Sequence, residues 1–346
     1  MGQMGRPDRD TGLRTVVLAS LIIGLILCTG CFEQASRPTQ LKVIAAGSLL
    51  APFAEAEQEF EAAHPGVDVQ IEGHGSIQVI RQVTDLHRRA DVVAVADASL
   101  IPDLMYRPME GTTANYTDSY IAFGGNDLVI AYTGKSRYAG EISPENWPDI
   151  LSRPDVRVGF SNPMLDAAGY RTLMVVQLAE GEYGKPSLFD TMIAEQFTPP
   201  LPVTMEGPVA VITLPEIMRP SGDKLVIRDG SIYLLSLLEA GGIDYAFEYR
   251  SVSETMNLPY VELPASINLG EESYSDQYGK VKVILGFQRF SSIGQERTGM
   301  PIVYAITVPA NAPNPGLAHE FMEYVVQESG KGRPGWPAPL PEGLTA

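Results

Sequence analysis

Residues 161–171, Ser-Asn-Pro-Met-Leu-Asp-Ala-Ala-Gly-Tyr-Arg, join a strand-like run at 155–160 to an apolar helical pattern from Thr172 onward. A strand, a turn with Pro and Gly, then the free N–H groups of a helix start form a seat for an anion. Asp166 is the odd member. A carboxylate beside a bound dianion repels it, unless that carboxylate bonds a metal centre inside the anion. Two other loops share the form. Ala45-Ala46-Gly47-Ser48 and Gly73-His74-Gly75-Ser76 each end a strand pattern and open a helix pattern. Gly admits close backbone approach, and Ser offers a hydroxyl and an N–H at the helix start. Either Gly-Ser pair alone reads equally as an ordinary cap, but three such turns point to a shared anion cleft.

The elements that must position these loops alternate. Strands are expected at 41–45, 67–71 and 91–96, each followed by a helix, at 49–63, 77–88 and 100–106. Strands at 120–123 and 128–132 come next, then helices near 172–181 and 187–196, an irregular Pro-rich stretch at 199–208, and a helix at 231–240. The pattern closes with strands at 244–249, 280–287 and 300–308, a helix at 316–327 and a loosely docked Pro/Gly-rich tail at 328–346. Such alternation predicts an α/β fold of mostly parallel sheets with crossover helices. In such sheets ligands sit beyond the carboxyl ends of the strands, where the three loops lie. The length predicts two lobes rather than one core.

The chain start addresses the protein. Arg6, Arg9 and Arg14 precede an uncharged apolar run at 16–28, followed by Thr29, Gly30 and Cys31. A basic segment, a short apolar core and a small-residue cut site describe an export signal over 1–30 with a tether at 31–40. The Gly-Cys end resembles a lipobox, which would lipidate Cys31. An uncleaved anchor and simple secretion are the alternatives, and all three put the folded part outside the cytoplasm. The two cysteines, Cys28 and Cys31, both lie in this segment, which excludes a disulfide framework or thiol nucleophile in the folded part. The net charge is −17, and removal of 1–30, with three Arg and two Asp, leaves −18. That excess disfavours nucleic acid and anionic membrane as partners.

Ala46-Gly47-Ser48-Leu49, Gly75-Ser76, the run 90–94, the run 99–102, Asp166-Ala167-Ala168-Gly169-Tyr170-Arg171 and the run 244–252 (Asp-Tyr-Ala-Phe-Glu-Tyr-Arg-Ser-Val) occur in the order and context of the tungstate/molybdate-binding lipoproteins, the archaeal-type solute-binding components of ABC importers. The chain resembles that family over about residues 41–327. The resemblance implies a two-lobed, type II periplasmic-binding-protein-like fold that closes on one oxyanion. It implies no catalysis, no cofactor beyond the bound tungstate or molybdate, a permease with its ATPase subunit as partners, and a monomer held at the outer face of the cell membrane. Crossings between lobes are expected at 124–128 and 249–253, making lobe one 41–124 plus 254–327 and lobe two 125–253.

Carried over residue by residue, the resemblance assigns ligand contacts to Gly47, Ser48, Ser76, Asp166, the N–H groups of Ala167 and Ala168, and Tyr249. Asp166 would contact the tungsten or molybdenum itself, since such hard centres accept carboxylates. The family's second carboxylate falls on Ser231. Three outcomes are open: Ser231 hydrogen-bonds an oxo group, Asp229 or Glu239 substitutes, or the specificity has moved to another oxyanion such as sulfate or phosphate, or to a small organic anion. Ser at a helix start is a natural donor, which favours the first. Strand alternation points Glu248 away from Tyr249, toward a hinge or inter-lobe role. Arg171 is expected to brace Asp166, and the four His residues to be surface or loop residues. A serine-type hydrolase using Ser48 or Ser76 with His74 is the remote alternative from another class.

Overall fold

Short runs of Val, Ile and Ala with no charge between them are buried on both faces, and they form the centres of two sheets. The first stretch alternates β1 (Thr39–Ala46), α1 (Leu50–Ala63), β2 (Val67–His74), α2 (Ser76–Thr84), β3 (Val92–Val95) and α3 (Leu100–Met105). Then come β4 (Ile121–Asn126) and, after Asp127 alone, β5 (Leu128–Tyr132). The middle stretch holds α4 (Trp147–Ser152), β6 (Val158–Ser161), α5 (Ala167–Glu182), α6 (Leu188–Met192), β7 (Val203–Glu206), β8 (Val209–Thr213), β9 (Leu225–Arg228), α7 (Ile232–Ala240), β10 (Tyr245–Tyr249) and α8 (Arg250–Thr255). The chain continues through β11 (Tyr260–Val261), α9 (Ser275–Tyr278), β12 (Val281–Ile284), β13 (Glu296–Thr298), β14 (Ile302–Thr307) and α10 (Pro315–Ser329). The computed structural model describes residues 1–2, 37–286 and 296–340. Met1–Thr39 and Gln40–Ala346 form separate units, and the sheets and helices belong to the second, which β1 enters at Gln40. The export segment, Cys28 and Cys31 lie outside the described residues, among which no helix is long and apolar enough to cross a membrane.

One sheet has the order β2-β1-β3-β14-β4, with β1 parallel to β3 and β14 antiparallel to both its neighbours. The other has the order β11-β5-β10-β6-β9, with β6 parallel to β9 and β10, and β5 antiparallel to β10 and β11. Read from β9, the second sheet repeats the first: an edge strand, the strand that precedes it within that sheet, a third strand, one antiparallel strand and a last edge. A third, smaller sheet has the order β13-β12-β8-β7.

Phe53 and Phe60 on α1 meet Phe321 on α10 edge to face, with centroids 6.2 and 5.2 Å apart, and seal one flank of the first sheet. Burying a ring of this size contributes about 2–3 kcal/mol. Trp147 and Phe247 form an equivalent edge contact at 6.1 Å on the second.

Several expectations change. The Pro-rich stretch expected to be irregular, 199–208, holds β7 and the turn of the β7–β8 hairpin, with Gly207 at φ 61°. β9 was not expected, because its four residues follow a Pro/Gly/Ser-rich segment that hides the pattern. Helix α2 stops at Thr84, where the Thr84 hydroxyl bonds Ile80 O and His87 takes φ 52°. The assignment of 254–327 to lobe one does not match the strand pairing before Ile302. β11 pairs with β5 and β12 pairs with β8, so the chain rejoins the first sheet only at Ile302. Up to residue 340 the tail is not loosely docked either: Trp336 is 3% exposed and donates to Glu55, and Gly125 and Ala338 exchange backbone bonds of 2.7 and 2.8 Å.

Candidate functional site

The two matching sheets aim their strand ends at each other. From the first come the turn after β1, carrying Gly47 and Ser48, and the start of α2, carrying Ser76. From the second come Asp166 with Ala167 and Ala168 at the start of α5, Ser231 at the start of α7, and Tyr249 at the end of β10. All of these except Gly47, which is half-buried, are buried.

Asp166 is the N-cap of α5, yet its side chain does not cap that helix. Its carboxylate accepts instead from Ser231 N at 3.1 Å and, more weakly, from Ser76 N at 3.4 Å. Two helix N-termini from different sheets therefore converge on one carboxylate. Backbone contacts lock the same junction, with Ile77 N and Gln78 N donating to Leu165 O at 3.1 and 3.2 Å. Gly75 permits this approach, since a Cβ there would lie 2.5 Å from Leu165 O and 2.7 Å from Asp166 Cβ. Burial pushes the Asp166 carboxyl up from its ordinary value, against the opposing pull of the two N–H groups and Arg171.

The serines are held differently. Ser76 Oγ accepts from Ala96 N at 3.0 Å. Ser48 Oγ accepts from Tyr304 at 2.9 Å, and the Tyr304 hydroxyl is in turn bonded by Asn126 at 3.2 Å. Gly47 packs against the Ile232 side chain on α7. His74 bonds Glu72 at 2.7 Å, away from both serines, so the Ser–His pairing of the hydrolase alternative is not formed.

Arg171 is 2% exposed and does not brace Asp166 by contact. It donates to Ala96 O at 2.6 Å and Tyr249 Oη at 2.8 Å, and pairs with Asp97 at 3.5 Å. Tyr170 also bonds Asp97. Burial raises the Asp97 carboxyl, but Arg171 and the Tyr170 and Ser99 hydroxyls outweigh it and hold the group below its ordinary range. Asp97, two residues past β3, was missed from sequence because Tyr170 and Arg171 lie more than seventy residues away.

Glu248 also departs from expectation. It is wholly buried, and its Oε1 accepts from Tyr249 N at 2.8 Å and bonds Ser231 Oγ at 2.9 Å. Its Oε2 is buried without a partner. Burial pushes this carboxyl up to about 8, with the charge of Asp166 adding to the shift and the Tyr249 N–H and Ser231 hydroxyl opposing it. The alternative acids, Asp229 and Glu239, are both exposed and take no part. Two surface clefts, one lined by Arg157, Arg219 and Arg228 and one by Asn126, Arg250 and Asn268, do not include the Asp166 cluster.

The arrangement can hold a small oxyanion: N–H donors at helix starts, hydroxyls, one buried guanidinium, and a buried polar atom still lacking a partner. The profile of the bacterial extracellular solute-binding proteins matches residues 41–333. The molybdate/tungstate-binding protein WtpA of Thermococcus kodakarensis is 40% identical over 337 residues, covering 93% of this chain and 89% of its own. The protein of the same name from Pyrococcus abyssi is 41% identical, covering 91% and 89%. Among solved structures, the Azotobacter vinelandii periplasmic molybdate-binding protein superposes with a TM-score of 0.51 at 15% identity, covering 82% of this chain and 92% of its own. The sulfate-binding protein SubI of Mycobacterium tuberculosis gives 0.50 at 15%, covering 88% of each. The fold is that of the type II periplasmic binding proteins.

Proposed function

The chain belongs to the bacterial extracellular solute-binding protein family, and we propose that its cargo is tungstate or molybdate, captured for an ABC permease and its ATPase subunit. The observation that carries this reading is the convergence of the Ser76 and Ser231 N–H groups, from helices on different sheets, on the buried Asp166 carboxylate. Donors are already collected there for negative charge. In the loaded protein the oxyanion takes those donors together with the Ala167 and Ala168 N–H groups, the Ser48 hydroxyl, the backbone at Gly47 and the Tyr249 hydroxyl. Asp166 contacts the metal centre of the cargo. Arg171 offsets the added charge through Tyr249.

Capture works by rotation of the two main sheets about their junction, which excludes water and strengthens each polar contact. The protein acts as a monomeric receptor rather than an enzyme, with no cofactor beyond its cargo, and Cys31 serves as its lipid attachment point at the outer face of the cell membrane.

Calorimetric titration of the chain from residue 31 with tungstate, molybdate, sulfate and phosphate tests the reading. Binding of both metal oxyanions at least about 100-fold tighter than sulfate is expected, a gap of about 2.7 kcal/mol. Equal affinity for sulfate would overturn the metal-centred part. Phosphate or sulfate alone binding would move the cargo within the oxyanion class, the outcome that Ser231 in place of a second carboxylate makes worth testing.

A further inference from the structure

Ser231 has a single hydroxyl proton, and the direction of its bond to Glu248 decides what the cargo meets. If Glu248 is ionised, Ser231 spends that proton on Oε1, 2.9 Å away, and turns lone pairs toward any anion beside it. The site would then face the anion with two carboxylates, Asp166 and Glu248. An ionised Glu248 would also leave Oε2 as a buried, charge-bearing oxygen with no donor. A neutral Glu248 removes both penalties. Its hydroxyl at Oε1 can accept from Tyr249 N at 2.8 Å and donate to Ser231 Oγ, leaving the serine proton to point elsewhere.

Resting on the oxyanion reading above, we propose that Glu248, as the neutral acid, sets the polarity of Ser231 so that its hydroxyl donates to an oxygen of the bound anion. Glu248 is a positioning residue here, acting through Ser231. No bond is made or broken; one proton stays on Glu248 and the serine proton is shared with the cargo. The hydroxyl would be this residue's second donor, beside the Ser231 N–H that here bonds Asp166 Oδ2 at 3.1 Å.

The groups around Glu248 favour the neutral form. Asp166, at the start of α5, adds negative charge. Tyr249 on β10 and Tyr304 on β14 are phenols that burial holds above their ordinary range, and both stay neutral. Ser231, on α7, is neutral. Arg171, the nearby cation, is engaged by Ala96 O, Tyr249 Oη and Asp97 rather than by Glu248. Burial accordingly keeps the Glu248 proton on up to about pH 8.

The test titrates sodium molybdate into the wild type, Glu248→Gln and Ser231→Ala from pH 6.5 to 9.5, a range over which molybdate remains the dianion. The wild type should bind with constant affinity up to about pH 8 and then lose up to about tenfold per pH unit, since one proton is linked to binding. Glu248→Gln, which cannot ionise, should show no loss of affinity above pH 8 where the wild type falls. Ser231→Ala should bind about tenfold more weakly at pH 7 and lose less than the wild type above 8. A wild-type profile that is flat, or a Gln variant that falls like the wild type, would overturn the proposal and leave the oxyanion reading intact. No molybdate binding by the wild type at any pH would overturn both. Infrared spectroscopy of the ligand-free protein gives an independent readout. A carboxylic-acid carbonyl band lost above about pH 8 and absent in Glu248→Gln is expected, and its absence from the wild type at pH 6.5 would refute the neutral acid.

Discussion

The two five-stranded sheets have the same strand order and contribute opposite chemistry to one site. The first brings neutral groups: Ser48 and Ser76, each with its hydroxyl already accepting from a structural partner. The second brings everything ionisable, namely Asp166, Glu248 and Arg171. A shared backbone frame therefore fixes where ligand-facing groups stand, at strand ends and helix starts, while the side chains there decide what is read. The Asp97–Arg171 contact is the exception, since it carries charge from one sheet to the other.

That exception yields the largest expected effect. Arg171→Ala leaves Asp97 buried without its cation and should destabilise the fold by about 3–5 kcal/mol. Urea unfolding at pH 7 measures it, and a loss below about 1 kcal/mol would show that this ion pair does not hold the two sheets together. Next, Asp166→Asn keeps the shape but removes the charge. Molybdate affinity should fall about 100-fold, or about 2.7 kcal/mol, with sulfate affected much less. Parallel losses for both anions would reduce Asp166 to a helix cap. Smallest is the neutral half: Ser48→Ala deprives the Tyr304 hydroxyl of its acceptor and should cost about 1 kcal/mol in stability, read as a lowered urea midpoint. A cost equal to that of Arg171→Ala would dissolve the contrast between the sheets.

The helix-opening loops were legible in the sequence because their signal is local. Gly47-Ser48, Gly75-Ser76 and Asp166 to Gly169 each announce a strand end, a close approach and a helix start within a few residues. Ser231 was found only through resemblance. What sequence missed depends on contacts between distant segments. Arg171 reaches Ala96 and Asp97 across more than seventy residues, and no periodicity encodes that. Glu248 was misjudged because strand alternation describes where a side chain leaves the backbone, not where a flexible carboxyl ends. At the last position but one of β10 it bends to its own neighbour's N–H and to Ser231. The third sheet was hidden by Pro199, Pro200, Pro202 and Pro208, which border its hairpin and pass for loop composition.

Asp127 alone separates β4 from β5, and the other passage of the chain back to the first sheet, at 299–301, arrives beside it, because Ile302 pairs with Asn126. Arg250 grips the Asp127 carboxylate through two bonds of 2.8 Å, Asn268 O receives Leu128 N, and Ala338 pairs with Gly125 just upstream. Both passages thus run through one narrow seam, fastened on its flanks. A body joined along a single seam can swing but cannot slide. The arc traced by the two strand-end clusters is then set by the seam, and the seam adjoins the site, since Leu128 pairs with Tyr249 and Asn126 bonds the Tyr304 hydroxyl that donates to Ser48.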